Sequence, residues 1–92
     1  MKCAYPAIFF PDEDCVGVYF YDAENWLTFG RTFKEAIENA QDVLNFALSS
    51  AKQDNEKIPA PTSLQNIKLK ENQSVMLIYA DISDLQIDAV SA

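Results

Sequence analysis

Apolar positions follow two different rhythms along this chain, and the change between them sets out its architecture. Between residues 33 and 51 the apolar residues at 33, 36, 37, 40, 43, 44, 47, 48 and 51 have the spacing of one helical face. Lys34, Glu35, Glu38, Asn39, Gln41, Asp42 and Asn45 form the other face, read as solvated. Thr32 and Glu35 stand three apart just before this run and read as a capping box, with the Glu also meeting the positive end of the helix dipole. The first third is different: residues 3–10 are apolar at odd and even positions alike and read as a strand in which Pro6 must sit at an edge, a bulge or an unpaired site. Pro11, Asp12, Glu13 and Asp14 make a turn, residues 15–21 a second strand, Asp22, Ala23, Glu24 and Asn25 another turn, and residues 26–29 a short third strand ended by Gly30.

After the helix, Ile58-Pro59-Ala60-Pro61 cannot continue it. Residues 62–73 read as a polar return loop with isolated Leu64, Ile67 and Leu69, and residues 75–80 as a last strand, apolar on both faces as a buried parallel strand would be. The fold class is therefore α+β: a small sheet of about four strands in the order β-β-β-α-β, with one long helix packed on one face. That order leaves a packing problem, because one helix covers one face of a sheet that is apolar on both. The uncovered face predicts an interface, hence a homo-oligomer or a bound partner. Tyr5, Phe9, Tyr19 and Tyr21, taken as one parity of the first two strands, are the predicted self-association residues.

Ninety-two residues suit one domain, residues 1–92. A formal charge of −7 and a pI near 4.2 make a nucleic-acid backbone a poor partner and a basic protein a good one. Asp12, Glu13, Asp14, Asp22, Glu24 and Trp26 are the predicted contacts for such a partner. RNA binding through sheet aromatics is the alternative, disfavoured by charge. No run reaches the roughly 20 apolar residues of a membrane span and no basic-flanked leader is present, so a cytoplasmic protein without membrane contact is expected. Cys3 and Cys15 lie at opposite ends of the predicted hairpin, offset by about seven residues at roughly 3.3 Å each, and are expected to be free thiols.

Candidate chemistry is sparse. The chain has no histidine, which removes Ser-His-Asp and Cys-His arrangements. Two cysteines twelve apart do not make a zinc site, and Gly17 and Gly30 alone do not make a phosphate loop. Asp12, Glu13, Asp14, Asp22, Glu24 and Asp81 carry no spacing signal for a two-metal nuclease and read as solvated turns. A non-enzyme without catalytic, cofactor or metal sites is expected.

In order, Tyr5-Pro6-Ala7-Ile8-Phe9, the acidic turn, Gly17-Val18-Tyr19-Phe20, Asp22, Thr28-x-Gly30-x-Thr32, Glu35-Ala36-x-x-Asn39-Ala40 and Ile58-Pro59-x-Pro61 resemble the N-terminal domain of HicB-like antitoxins, over residues 5–81. The resemblance implies a partial RNase H-like fold in which a meander and a helix are followed by a strand beside the first, with carboxylates that are not catalytic. It also implies self-association through the sheet domain and inhibition of a small basic HicA-type mRNA interferase toxin. Where many members carry Pro-Asp-Leu-Pro-Gly-Cys, this chain has Tyr21-Asp22-Ala23-Glu24-Asn25-Trp26. Full antitoxins continue into a DNA-binding domain; residues 82–92 are too few for one, so DNA binding by this chain is not expected. An orphan homo-oligomeric domain that has lost its toxin is a further alternative.

Overall fold

The computed structural model describes residues 2–81 and 86–87. Strands β1 (Lys2–Asp12), β2 (Cys15–Phe20) and β3 (Ala23–Gly30) are followed by helix α1 (Phe33–Gln53), a short β4 (Lys57–Ile58), β5 (Ser74–Asp81) and a two-residue β6 (Gln86–Ile87). The main sheet has the order β3-β2-β1-β5 with every neighbour antiparallel, while β4 and β6 form a separate parallel pair. This is the α+β arrangement expected. The β4–β6 pairing was not foreseen, since two residues carry no periodicity.

The last long strand differs from expectation. β5 is antiparallel to β1 and lies at the sheet edge. Its apolar run is only partly covered: Ile78 and Ala80 are buried in the core, Val75 and Leu77 are half-buried, and Met76 and Tyr79 are exposed. Pro6 is in a central strand yet breaks no ladder. Its carbonyl accepts the Tyr21 N–H at 3.0 Å, just past the end of β2, so the missing donor faces the start of a turn.

α1 begins where the sequence places it. Thr32 is extended (φ −129°, ψ 165°), and its Oγ1 accepts the Glu35 N–H at 3.1 Å. Glu35 Oε1 accepts from the Arg31 N–H at 3.2 Å, one residue upstream of the usual capping-box partner. Thr32→Ala is expected to cost about 1 kcal/mol in chemical denaturation, with Thr32→Ser keeping most of it. At the other end Asn55 takes a left-handed φ of 53°. The Glu56 N–H then reaches the Ala51 carbonyl at 2.8 Å and the Asn55 N–H the Lys52 carbonyl at 3.3 Å, a Schellman closure.

The core lies between α1 and one face of the sheet. Ala36, Ala40, Leu44, Leu48 and Ala51 form the buried helix stripe, against Tyr5, Ala7 and Phe9 of β1, Val18 and Phe20 of β2, and Ile78 and Ala80 of β5. Trp26 packs edge-on to Tyr5 and Phe20, with ring centroids 6.1 and 6.0 Å apart. The Tyr5 hydroxyl donates to the Pro59 carbonyl at 2.8 Å, and burial, then nearby Cys3 and Asp22, push that phenol well above its ordinary pKa. Cys3 and Cys15 are free thiols. Both are held above the usual thiol range, Cys3 by burial and Cys15 by burial and then the charges of Asp12, Asp14 and Glu13, which makes them poor nucleophiles. Among the described residues no helix is long and apolar enough to cross a membrane.

Candidate functional site

The register decides which side chains share the face opposite α1. Because Ile8 pairs with Tyr19 and Phe10 with Gly17, even-numbered residues of β1 stand with odd-numbered residues of β2. The row continues outward from Tyr19 to Leu27 and from Gly17 to Phe29. Phe10, Tyr19 and Phe29 thereby meet: ring centroids lie 6.0 Å apart for Phe10–Tyr19 and 6.3 Å apart, nearly perpendicular, for Phe10–Phe29. Gly17 makes this possible, because a Cβ there would sit 2.2 Å from the Phe10 ring. The ring lies over a position with no side chain.

Residues 59–73 pack along the rest of this face. Asp22 fastens them: its Oδ2 accepts the Thr62 N–H at 2.9 Å, and its Oδ1 accepts the Thr62 hydroxyl. Pro61, Thr62, Ser63 and Leu64 border Ala4 and Leu77, while Lys70 and Gln73 border Phe10, Tyr19 and Leu27 around a shallow depression of about 390 Å³. Gln73 Nε2 stands 3.5 Å from the Tyr19 hydroxyl. Ile8 in the middle of the face is buried. The strap is thus a partial cover for the second face, and what stays open is the end carrying Phe10, Leu27 and Phe29, with Leu27 46% and Phe29 43% exposed. Asp12, Glu13 and Asp14 rim that end as an exposed turn at the close of β1, where Asp12 Oδ1 accepts the Glu13 N–H at 2.9 Å. An apolar aromatic patch beside an acidic rim is the chemistry of a protein-binding surface.

The predicted residues fall into separate places. Tyr5 and Phe9 face α1 and are buried in the core, so neither presents surface to a second copy; Tyr19 is on the opposite face and Tyr21 is half-buried at the β2–β3 turn. The four share no face because the register of this pair joins odd residues of β1 to even residues of β2. Asp12, Glu13 and Asp14 lie at one end of β2 and Asp22, Glu24 and Trp26 at the other, about 20 Å apart at roughly 3.3 Å per residue. They do not form one patch. Asp22 is occupied by Thr62, Trp26 is half-buried on the helix side, and Glu24 is exposed beside Leu27. Among the described residues no three His, Cys, Asp or Glu side chains come together as a metal site. Phe10, Leu27 and Phe29 were missed; the signal for Phe10 was Gly17, since a lone glycine in a strand often marks a close approach by a neighbour.

Both sheet edges are touched by helix amides that looked merely solvated in sequence. Asn39 Nδ2 donates to the Phe29 carbonyl of β3 at 2.7 Å, and Gln41 Nε2 to the Tyr79 carbonyl of β5 at 3.0 Å. Each satisfies one outward carbonyl of an edge strand.

No protein-family model matches the sequence, and no curated protein matches it. Solved structures do match in fold. The N-terminal domain of the antitoxin HicB from Burkholderia pseudomallei superposes with a TM-score of 0.75 at 17% identity, covering 88% of this chain and 99% of that one. A chain of a toxin–antitoxin complex from Streptococcus pneumoniae gives 0.77 at 18% identity, covering 100% and 81%. A chain of a HicA3–HicB3 toxin–antitoxin complex gives 0.63 at 21% identity, covering 95% and 100%. The fold of this chain is that of HicB N-terminal domains.

Proposed function

We propose that this chain is an antitoxin of HicB type, which neutralises a small basic HicA-type mRNA interferase by binding it and performs no chemistry itself. The observation that carries this reading is the open aromatic patch of Phe10, Leu27 and Phe29 rimmed by Asp12, Glu13 and Asp14, on a fold shared with chains from toxin–antitoxin complexes. An acidic rim on a chain of charge −7 steers a basic partner and repels RNA, while the aromatics supply apolar area at the centre of contact. Asp22 and Trp26 act in folding, and Glu24 borders the depression beside Leu27, at the edge of the patch away from the acidic turn.

The test is capture of a small basic protein from the native lysate at moderate salt, followed by an RNA-cleavage assay of that protein with and without this chain. Inhibition at one-to-one stoichiometry is expected. Replacing Glu13 by Lys and Asp12 and Asp14 by Asn is expected to weaken binding about tenfold or more without changing the thermal midpoint greatly, because all three are exposed and Asn keeps both the Asp12 acceptor and the left-handed φ of 54° at residue 14. Inhibition that survives this reversal unchanged would remove the acidic turn from the contact. RNA stacking on the same rings is the second reading, favoured by the exposed aromatic patch and opposed by its rim; a salt-sensitive shift of labelled RNA by this chain alone would select it.

A further inference from the structure

The strap reaches the open aromatic patch at its downstream end, and the side chain it brings there is a cation. Lys70 borders the depression together with Phe10, Tyr19, Glu24, Leu27 and Gln73. At about 390 Å³ the depression falls within the roughly 300–1,000 Å³ range of ligand sites. Two aromatic rings with a carboxylate beside them are surroundings that favour an ammonium or guanidinium group. Yet among the described residues neither Lys70 nor Glu24 forms an ion pair, so the carboxylate is not paired with the lysine that shares its depression.

The turn that carries Lys70 keeps its shape through its own bonds. The Gln73 N–H donates to the Lys70 carbonyl at 3.1 Å, and the Lys70 N–H donates to Gln73 Oε1 at 2.8 Å. Asn72 supplies a left-handed φ of 66° at the third position of the turn, which Asn tolerates. Among the described residues the turn approaches a hydrogen-bonding group of the sheet only through Gln73 Nε2, which stands 3.5 Å from the Tyr19 hydroxyl, beyond the usual N–H···O range. Upstream, residues 63–69 make no hydrogen bond to the described part of the sheet; their backbone bonds are the local ones from Asn66 to Ser63 and from Ile67 to Leu64. Lys68, Leu69, Lys70, Glu71 and Asn72 are exposed. Such a segment opens at low cost while the core stays closed.

We infer that the Lys70 turn is an autoinhibitory contact: Lys70 holds the place that a basic side chain of the partner takes, and binding displaces it. This rests on the reading of the open patch as a site for a basic partner, and adds a competitor supplied by the strap. A carboxylate of the partner is the less suitable match for Lys70. The chain carries −7 and sets Asp12, Glu13 and Asp14 on the rim of the same patch, so an incoming carboxylate is repelled. Lys70 thus opposes the cation that the rest of the patch attracts, and its removal strengthens binding where removal of a contact residue weakens it.

Titration of the full chain with a tetra-arginine peptide capped at both ends, followed by nuclear magnetic resonance, tests this without the natural partner. The signals of Phe10, Tyr19 and Leu27 are expected to move and saturate. Lys70→Ala should tighten the peptide about threefold more than Lys68→Ala, the scale of one exposed cation–aromatic contact. Both variants remove one charge from the exposed strap, but Lys68 does not border the depression. Gln73→Ala leaves the charge unchanged and loosens the turn, and should also tighten the peptide, with the circular dichroism of all three variants unchanged. Equal effects of Lys68→Ala and Lys70→Ala, weaker binding on losing Lys70, a Gln73→Ala chain that binds no tighter, or peptide-induced shifts that avoid Phe10, Tyr19 and Leu27 would each overturn the inference. Failure to capture a basic protein from the lysate would instead remove the antitoxin reading and leave these outcomes standing.

Discussion

Gly30→Ala is expected to lower stability by about 3 kcal/mol or more, a large share of what a small domain has. Neither glycine has positive φ, so the demand at this position is for space. An added Cβ would lie 2.3 Å from the Ala36 nitrogen, 2.7 Å from its Cα and 2.8 Å from the Glu35 carbonyl carbon. All three are backbone atoms of the first helical turn, tied to Thr32 through the Ala36 N–H at 2.9 Å, and cannot yield singly. The helix must lift, which opens space over Ala36 and Ala40, both fully buried in the core. For a domain of this size the thermal midpoint should drop by roughly 10–20 °C. Gly17→Ala is the control: its Cβ meets the Phe10 ring at 2.2 Å, but that ring lies at the open face and can swing aside, so the expected loss is nearer 1 kcal/mol. Calorimetry of the two variants checks the pair; equal losses would show that the helix start is not the rigid element described.

Asp22→Ala is expected to cost about 2–3 kcal/mol and to release the strap. Two hydrogen bonds from Thr62 end on this one carboxylate, and bonds to charged acceptors are stronger than neutral ones. They hold the segment that borders Ala4, Tyr19 and Leu77. Limited proteolysis should therefore cut within residues 59–73 of the variant before any cut in β1 or α1. Asp22→Asn keeps an acceptor and should lose less. Thr62→Val together with Asp22→Ala should cost little more than Asp22→Ala alone, because both act through the same bonds. If the strap resists proteolysis in Asp22→Ala while partner binding falls, Asp22 belongs to the contact surface.

These cases show how differently parts of the chain were legible. The helix, its Thr32–Glu35 start and its Asn55 end depend on neighbours three to five residues apart, so the sequence carries them almost completely. The acidic turn and the three-strand meander are local in the same sense. The resemblance placed the fourth strand beside the first, where β5 is found. By contrast the faces of β1 and β2 depend on a pairing register that local pattern leaves open, because residues 3–10 and 15–20 are apolar at odd and even positions alike. Tyr5 and Phe9 looked like surface partners of Tyr19 for this reason, and the observed register sends them to the core instead.

The strap was the largest omission. Residues 62–73 have no periodicity, and nothing near Asp22 in sequence indicates that its carboxylate is spent on Thr62, forty residues away. Asn39 and Gln41 were likewise read as solvated because their partners, Phe29 and Tyr79, are ten and thirty-eight residues distant.

By itself, then, the sequence determined the order of elements, the limits of the helix, the net acidity and the absence of histidine chemistry, all of which rest on composition or on contacts within a turn or two. Only the tertiary structure decided which aromatics are exposed and which carboxylates are free to meet a partner. Those depend on register and on long-range closure, and in a sheet whose strands are apolar on both faces no local energy difference distinguishes one face from the other until α1 and the strap have docked.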